Sequence, residues 1–303
     1  MIATGNHCYY GFAARSTTPG GSLRRFCASA FFKELILMFE LLLILIAIYL
    51  LAIRCRSGHA GLKDLQGWSY AHRGLHSAGV PENSMAAFKA ALDHGYGIEL
   101  DIHLLKDGNL AVIHDSLLNR TTGQAGRIED LTTADLKNYH LEGTGETIPE
   151  FMDLLTLYNG KAPLIIELKP ENGNHAALCE ATCRMLETYN GPFCIESFDP
   201  RCVAWLKKNR PDIIRGFLTE NFTKTKNDLP EYLRFALTHC LTNISCVPDF
   251  IAYRFDHRND SLSNKLCLKL WKAQGVAWTL RTKADYDTAV AEGLLPIFEG
   301  FIP

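Results

Sequence analysis

The hydrophobic pattern divides the chain into one long apolar run and a later stretch in which short apolar segments alternate with amphipathic ones. The run at 35–53, LILMFELLLILIAIYLLAI, is apolar on every side of a helix except at Glu40. About 20 such residues cross the hydrocarbon core of a bilayer, whereas a buried helix of a globular domain carries a polar face. The pattern predicts a single transmembrane helix over 35–53, which it favours over a cleaved signal peptide, and a linker over 54–66.

The residues before this run are expected to form a disordered or targeting tail over 1–34. Residues 1–33 carry four cations, no acidic residue and many Ser, Thr and Gly. Cations also follow the run at Arg54, Arg56 and Lys63, so the positive-inside rule does not decide the orientation. The chain has 10 cysteines, without CxxC pairs after residue 67. Such thiols are typical of a reducing compartment and favour a catalytic domain that faces the cytoplasm.

From residue 67 onward the alternation of strands and helices predicts one domain over 67–303. Helical spacing is found at 84–94, 176–189 and 263–274. The strand candidates are 67–74, 96–105, 109–115, 163–169, 193–198, 213–219, 249–255, 275–281 and 295–301. This many units in about 240 residues predicts an α/β fold, a distorted (β/α)₈ TIM barrel. Nine candidates exceed eight, and 106–109 is too short for a crossover helix, so either this pair is a local hairpin or one member is a loop. Residues 116–150 read as an excursion over the barrel top.

Composition narrows the function classes. The 303 residues carry a net charge of -2 and are 47% hydrophobic, which excludes a disordered chain and a protein that coats nucleic acid. A small-molecule substrate is the expected partner, with no nucleic acid, and the sequence leaves the oligomeric state open.

Three acidic residues stand inside apolar strand runs. Because residues two apart share a face of a strand, Glu99 and Asp101 point the same way, as do Glu167 and Lys169. The carboxyl ends of barrel strands meet at one rim, where converging carboxylates repel one another unless they hold a cation. Oxygen ligands select a hard ion, so we predict a divalent cation, Mg²⁺ or Ca²⁺, in preference to surface salt bridges.

Two histidines stand at predicted strand ends, His72 and His114. Paired imidazoles can act as general base and general acid. Arg73 and Lys169 add positive charge that suits a phosphate group. A metal, two histidines and two cations together predict hydrolysis of a phosphodiester.

The order of the short motifs is specific. The motifs are AHRG at 71–74, PENS at 81–84, ELDIHLLKDG at 99–108, HD at 114–115, LNRTTG at 118–123, IP at 148–149, ELK at 167–169, SFD at 197–199 and WT at 278–279. Over residues 68–303 the chain thereby resembles the glycerophosphodiester phosphodiesterase family. The resemblance implies a distorted (β/α)₈ barrel that hydrolyses glycerophosphodiesters to glycerol 3-phosphate and an alcohol.

The resemblance also implies a role for each matching residue. It makes His72 and His114 the acid–base pair. The other implied roles are the metal ligands Glu99, Asp101 and Glu167, the phosphate-contacting Arg73 and Lys169, the loop residues Glu82 and Asn83, and an aromatic at the pocket mouth, Trp278. In the family the glycerol hydroxyl is thought to attack phosphorus, and water then opens the cyclic intermediate.

Two positions depart from the family's pattern. Arg281 stands where the family often has Asn, and Glu299-Gly300 replaces a Thr-Asp pair, which puts substrate shape or rim packing in doubt. Two other functions stay open. The anchor would hold the site near lipid, so a lysophospholipid could be cleaved in the manner of a phospholipase D. A membrane-tethered binding module without catalysis is the third reading, although no member of the site is missing. The remaining histidines, His103 included, are expected at the surface or in structural roles.

Overall fold

The computed structural model describes the backbone of residues 20–303 and the side chains from residue 31 onward. The chain divides into two compact units between Ile48 and Tyr49, within the helix Gly20–Ala52 (α1). Within α1, Phe31–Ala52 contains an 18-residue window with a mean hydropathy of 2.9. Its length and composition suit a membrane span, and a signal sequence near the N-terminus has the same character. The predicted tail lies outside the described residues as far as residue 19.

The second unit is built on a closed barrel. The strands of the described chain are β1 (Tyr70–His72), β2 (Gly97–Leu104), β3 (Leu110–Val112), β4 (Leu164–Leu168), β5 (Phe193–Ser197), β6 (Arg215–Thr219), β7 (Phe250–Arg254), β8 (Gln274–Leu280) and β9 (Leu295–Phe298). Eight of them are parallel and pair in the order β1-β2-β4-β5-β6-β7-β8-β9, with β9 returning to β1. The predicted (β/α)₈ barrel is confirmed.

Helices surround the barrel. They are α2 (Leu62–Leu65), α3 (Met85–Asp93), α4 (Asn119–Thr122), α5 (Phe151–Tyr158), α6 (His175–Leu186), α7 (Pro200–Asn209), α8 (Glu231–Thr238), α9 (Asn243–Cys246), α10 (Leu262–Lys269) and α11 (Lys283–Ala291), with short 3₁₀ turns at Ile128–Asp130, Thr133–Asn138 and Phe255–His257. The start of α3 follows from sequence, because the Ser84 side chain accepts a hydrogen bond from Ala87 N.

The ninth strand resolves the surplus in the sequence pattern. Residues Ile98–Ile102 of β2 pair with β4 in the barrel, while Ile102–Leu104 pair antiparallel with β3. The hairpin alternative was therefore correct. Directly after β3, Ile113 N donates to Asp101 O at 3.0 Å, so the returning chain brings His114 back beside the barrel rim.

Alternation along the strands separates two hydrophobic layers. On β2, Ile98, Leu100 and Ile102 are fully buried in a cluster with helix residues such as Phe88. A second cluster fills the barrel interior, with members Tyr70, Ile165, Cys194, Phe250 and Val276. Because the side-chain period is two, Glu99 and Asp101 fall on the interior face, at the level above this apolar filling.

The segment 54–66, predicted as a linker, packs against the barrel. Cys55 and Leu65 are buried, and Arg56 Nη2 donates to Asp249 Oδ2 at 2.6 Å. Cys55 is one of eight cysteines among the residues with described side chains, and all eight are free and buried.

Candidate active site

Three buried carboxylates meet inside the barrel near its C-terminal rim. Glu99 and Asp101 lie on β2, and the register of β2 with β4 places Glu167 beside Asp101. One oxygen of each residue lies within 4.8 Å of those of the other two. The three residues are at most 5% exposed. Burial of charge at this density is costly unless cations neutralise it.

Two basic side chains and one amide adjoin these acids. Lys169 Nζ lies 2.7 Å from Glu167 Oε1 and 3.1 Å from Asp101 Oδ1, although neither contact has the alignment of a hydrogen bond. Arg73 Nε lies 3.4 Å from Asp101 Oδ2, and Asn83 Nδ2 donates to the same oxygen at 2.9 Å. The positively charged side chains of the site are thus gathered around Asp101.

The surroundings shift the pKa values of the three acids in different directions. Burial raises the pKa of Glu99 well above its ordinary value and that of Glu167 to about 7. Burial acts against ionisation of Asp101 too, but the charges of Lys169, His114 and Arg73 hold its pKa well below the usual range. Like charges in one site are the second reason that Glu99 and Glu167 resist ionisation.

The donor set fits a hard divalent cation. Glu99, Asp101 and Glu167 offer only carboxylate oxygens, and Asp101 Oδ1 and Glu167 Oε1 are buried without an aligned hydrogen-bond donor. Mg²⁺ and Ca²⁺ prefer such ligands, whereas a zinc site would draw on His or Cys. A cation here would also relieve the repulsion that raises the two glutamate pKa values.

The HRG motif forms the turn that aims Arg73 into the site. Arg73 and Asn83 have left-handed backbone conformations, with φ of 55° and 53°. Gly74 has φ +81°, and a Cβ there would lie 2.8 Å from Ala87 Cβ, so the turn requires glycine. Arg73 O accepts from Asn83 N at 2.9 Å, which ties this turn to the PEN loop. Strained backbone of this kind often marks functional sites.

His72 ends β1 with its two ring nitrogens toward different carboxylates. Nδ1 lies 2.8 Å from Glu299 Oε2, and Nε2 lies 3.8 Å from Glu99 Oε2. Arg281 Nη2 donates to the same Glu299 oxygen at 2.9 Å. Burial lowers the pKa of His72, so the ring is neutral near pH 7.

The His114 ring is also bonded by a carboxylate, which belongs to the next residue, Asp115. The ring Nδ1 lies 2.6 Å from Asp115 Oδ1. Arg120 pairs with the other Asp115 oxygen and donates to Glu82 Oε1 at 2.6 Å. Burial lowers the pKa of His114 to about 4. The ring is therefore neutral near pH 7, with Nε2 as the nitrogen that Asp115 leaves free.

Glu82 joins the two sides of the rim. Its Oε1 accepts from Arg73 Nη1 at 2.9 Å as well as from Arg120. The loop that the resemblance assigned to the metal and histidine environment therefore holds two arginines in place. Trp278 donates from Nε1 to Ala252 O and packs edge-on against Phe198, with ring centroids 5.5 Å apart.

The structure adds residues that sequence reasoning did not place in the site. Glu196 is 1% exposed and in register with Glu167, and its Oε2 has no hydrogen-bond partner. The sequence signal that predicted Glu99, an acid inside an apolar strand run, was also present at Glu196.

His103, which the sequence analysis assigned to the surface or to a structural role, supports His114. Its Nε2 lies 3.1 Å from the His114 carbonyl oxygen, and its Nδ1 bonds Glu129. Arg120 lies in the LNRTTG motif, and nothing else in the sequence indicated a role for it in the site.

Comparison with known proteins gives consistent results. The model of the glycerophosphoryl diester phosphodiesterase family matches residues 72–298. A glycerophosphodiester phosphodiesterase of Bacillus altitudinis is 42% identical over 161 residues, 50% of this chain and 65% of that protein. One of Caldanaerobacter subterraneus is 36% identical over 158 residues, 49% of this chain and 65% of that protein. The chain thus spans slightly less than two thirds of the length of these two relatives.

Solved structures share the fold. A phosphodiesterase of Oleispira antarctica, solved in complex with the product sn-glycerol-3-phosphate, superposes with a TM-score of 0.65 at 23% identity. The match covers 80% of this chain and 95% of that one.

Proposed function

Since this chain belongs to the glycerophosphoryl diester phosphodiesterase family, we propose that it hydrolyses glycerophosphodiesters to glycerol 3-phosphate and an alcohol. The observation that carries the proposal is the joint presence of two imidazoles with carboxylate-bonded Nδ1 atoms beside three buried acids and two cations. The names of the matched relatives point to the same activity.

The charged residues prepare the site for a phosphodiester. Arg73 and Lys169 neutralise the phosphate oxygens. Glu99, Asp101 and Glu167 would hold a divalent cation, which when bound polarises a phosphoryl oxygen and stabilises the negative charge that develops on it. Magnesium and calcium both suit this ligand set.

The histidines move the protons. In the first step one imidazole Nε2 takes the proton of the glycerol hydroxyl as its oxygen bonds phosphorus. The other imidazole, neutral in the free protein, takes up a proton on Nε2 when the anionic phosphodiester binds, and it gives this proton to the departing alcohol as the P–O bond to that alcohol breaks. In the second step the roles reverse: water attacks phosphorus, the ring ester bond breaks, and glycerol 3-phosphate is released. His72 and His114 fill these two roles.

The test is release of glycerol 3-phosphate from glycerophosphocholine by the full chain in detergent. We expect turnover with Mg²⁺ or Ca²⁺, loss of it after exhaustive chelation, and recovery when the ion is restored. His94→Ala is a matched control, because His94 is exposed and bonds only its own helix through Ala90 O. Full turnover in metal-free protein or in His72→Ala would overturn the proposal. Substrate binding without turnover would support the non-catalytic module instead.

A second candidate, cleavage of lysophospholipids at the same site, is favoured by the apolar helix. Phe31–Ala52 is long enough to span a bilayer, and we propose that it anchors the enzyme. Kinetics on glycerophosphocholine and on lysophosphatidylcholine in mixed micelles would separate the two substrate classes. Retention in the membrane fraction after alkaline extraction would test the anchor, and protease protection would test the expected cytoplasmic orientation of the catalytic domain.

A further inference from the structure

The two positions that depart from the family's pattern meet at one catalytic candidate. Arg281 follows β8 and Glu299 follows β9, neighbouring strands of the barrel. Glu299 Oε2 lies 2.8 Å from His72 Nδ1 and accepts from Arg281 Nη2 at 2.9 Å. One carboxylate oxygen therefore joins both departures to the histidine at the end of β1.

We propose that Glu299 and Arg281 form a positioning pair that fixes the tautomer and ring orientation of His72, with Nδ1 protonated and Nε2 turned toward the acidic site. The proposal rests on the proposed function for its catalytic consequence. The tautomer of His72, which is the structural part of the proposal, can be measured without turnover. The two departures from the family's pattern, at Arg281 and Glu299, would then act together on His72.

The geometry of Glu299 supports a persistent charge. Its side chain is 21% exposed, and besides His72 and Arg281 it has His76 Nε2 at 4.0 Å from Oε1. Burial alone would raise the pKa of Glu299, but the hydrogen bond from His72 and the charges of these neighbours lower it to about 2. An ionised carboxylate only accepts hydrogen bonds, so His72 Nδ1 must be the donor.

The fixed donor determines what the other nitrogen can do. In a neutral imidazole with Nδ1 protonated, Nε2 carries the lone pair and can take a proton. His72 Nε2 lies 3.8 Å from Glu99 Oε2, so this lone pair faces the acidic site. Without the carboxylate, both tautomers and other ring rotamers become accessible, and only part of the enzyme has a competent base.

Arg281 acts on the carboxylate from the solvent side. Its side chain is 60% exposed, and it bonds the same oxygen as His72. An arginine there holds the Glu299 side chain against the rim and keeps it ionised. We expect its contribution to be smaller than that of Glu299, because an exposed ion pair is weakened by water and salt.

The experiment combines kinetics with the ring tautomer. In the full chain, Glu299→Ala should lower kcat about 10- to 100-fold with KM little changed, and Arg281→Met should lower kcat about threefold. Glu299→Asp should recover part of the loss, since it restores the charge with a shorter reach. Glu292→Gln is the matched control: Glu292 also pairs with an arginine, Arg258, away from the site.

The spectroscopic arm reads the ring directly. ¹⁵N spectra of histidine-labelled protein, with His72 assigned from its loss in His72→Gln, should show protonated Nδ1 and bare Nε2 in the wild type. Glu299→Ala should show mixed tautomers. Unchanged kcat in Glu299→Ala, or a wild-type ring protonated on Nε2, would overturn the positioning pair. If Glu299→Ala fails to fold, the wild-type tautomer and Arg281→Met decide. Absent turnover in the wild type would instead overturn the proposed function.

Discussion

Each of the two candidate catalytic histidines is held by a carboxylate and an arginine, which together are called its arm. The two arms differ greatly in the sequence distance between the histidine and its carboxylate. In each arm a carboxylate bonds the imidazole Nδ1, and an arginine bonds the carboxylate. For His114 the carboxylate is the next residue, Asp115, and the arginine is five residues beyond that. For His72 the carboxylate lies 227 residues away.

The difference is also one of connection to the rest of the site. The arginine of the local arm, Arg120, continues to Glu82, which also binds Arg73, a cation beside the acids. The arginine of the distant arm, Arg281, is 60% exposed and, among the residues with described side chains, forms an ion pair only with Glu299. The same arrangement of imidazole, carboxylate and arginine can therefore be built from neighbouring residues or from residues at the ends of the first strand and the last two strands of a closed barrel. The comparison can be tested arm by arm.

The largest effect is expected when the histidines themselves are removed. His72→Ala and His114→Ala should each lower kcat about 10³-fold, because each removes one proton-transfer group. Steady-state release of glycerol 3-phosphate measures this. If one variant retained near wild-type kcat, the two arms would not serve equivalent groups.

The next largest effect is expected when the carboxylate of the local arm, Asp115, is changed. Asp115→Asn keeps the size of the side chain but replaces the charge with an amide that can donate, so the imidazole can adopt the wrong tautomer. We expect a loss of about 10- to 100-fold in kcat, similar to Glu299→Ala. A loss much smaller than that of Glu299→Ala would indicate that the His114 ring is held by its backbone, where His103 bonds the carbonyl.

The arginines should separate the two arms. Arg120→Met breaks contacts to both Asp115 and Glu82, so we expect about a tenfold loss of activity. Arg281→Met breaks one exposed contact, and about a threefold loss is expected. Equal losses would contradict the difference in connection. Measurement of kcat and KM for both variants at two salt concentrations would also show whether the effect is screened.

The smallest effect concerns acid stability. The folded pKa of Glu299, about 2, is below the unfolded value near 4.5. Its ionised form therefore stabilises the fold above the unfolded pKa, and this stabilisation is lost as pH falls from about 4.5 toward 2. We expect the free energy of unfolding of wild type minus Glu299→Gln to shrink by roughly 1–2 kcal/mol over that interval, with solvent screening included. Denaturant titrations at several pH values measure the difference, and a constant difference would contradict the assigned pKa.

The sequence by itself determined the barrel and the acidic cluster. Alternation with period two assigned Glu99 and Asp101 to one face of a strand, and a parallel barrel collects such faces at one rim. It also gave His114 and Asp115 as neighbours, because that arm is local. Whether the candidate linker 54–66 was free or packed could not be predicted, since the buried Cys55 and Leu65 lie in a segment without clear periodicity.

Only the tertiary structure decided the partners of His72 and how the second and third strand candidates pair. The short loop allowed either a hairpin or a misassigned strand, and the choice depended on whether β3 could pair with the part of β2 that leaves the barrel. Glu299 reaches His72 because β9 closes the barrel onto β1. Closure brings together residues from the two ends of a sheet, and no local spacing records that contact.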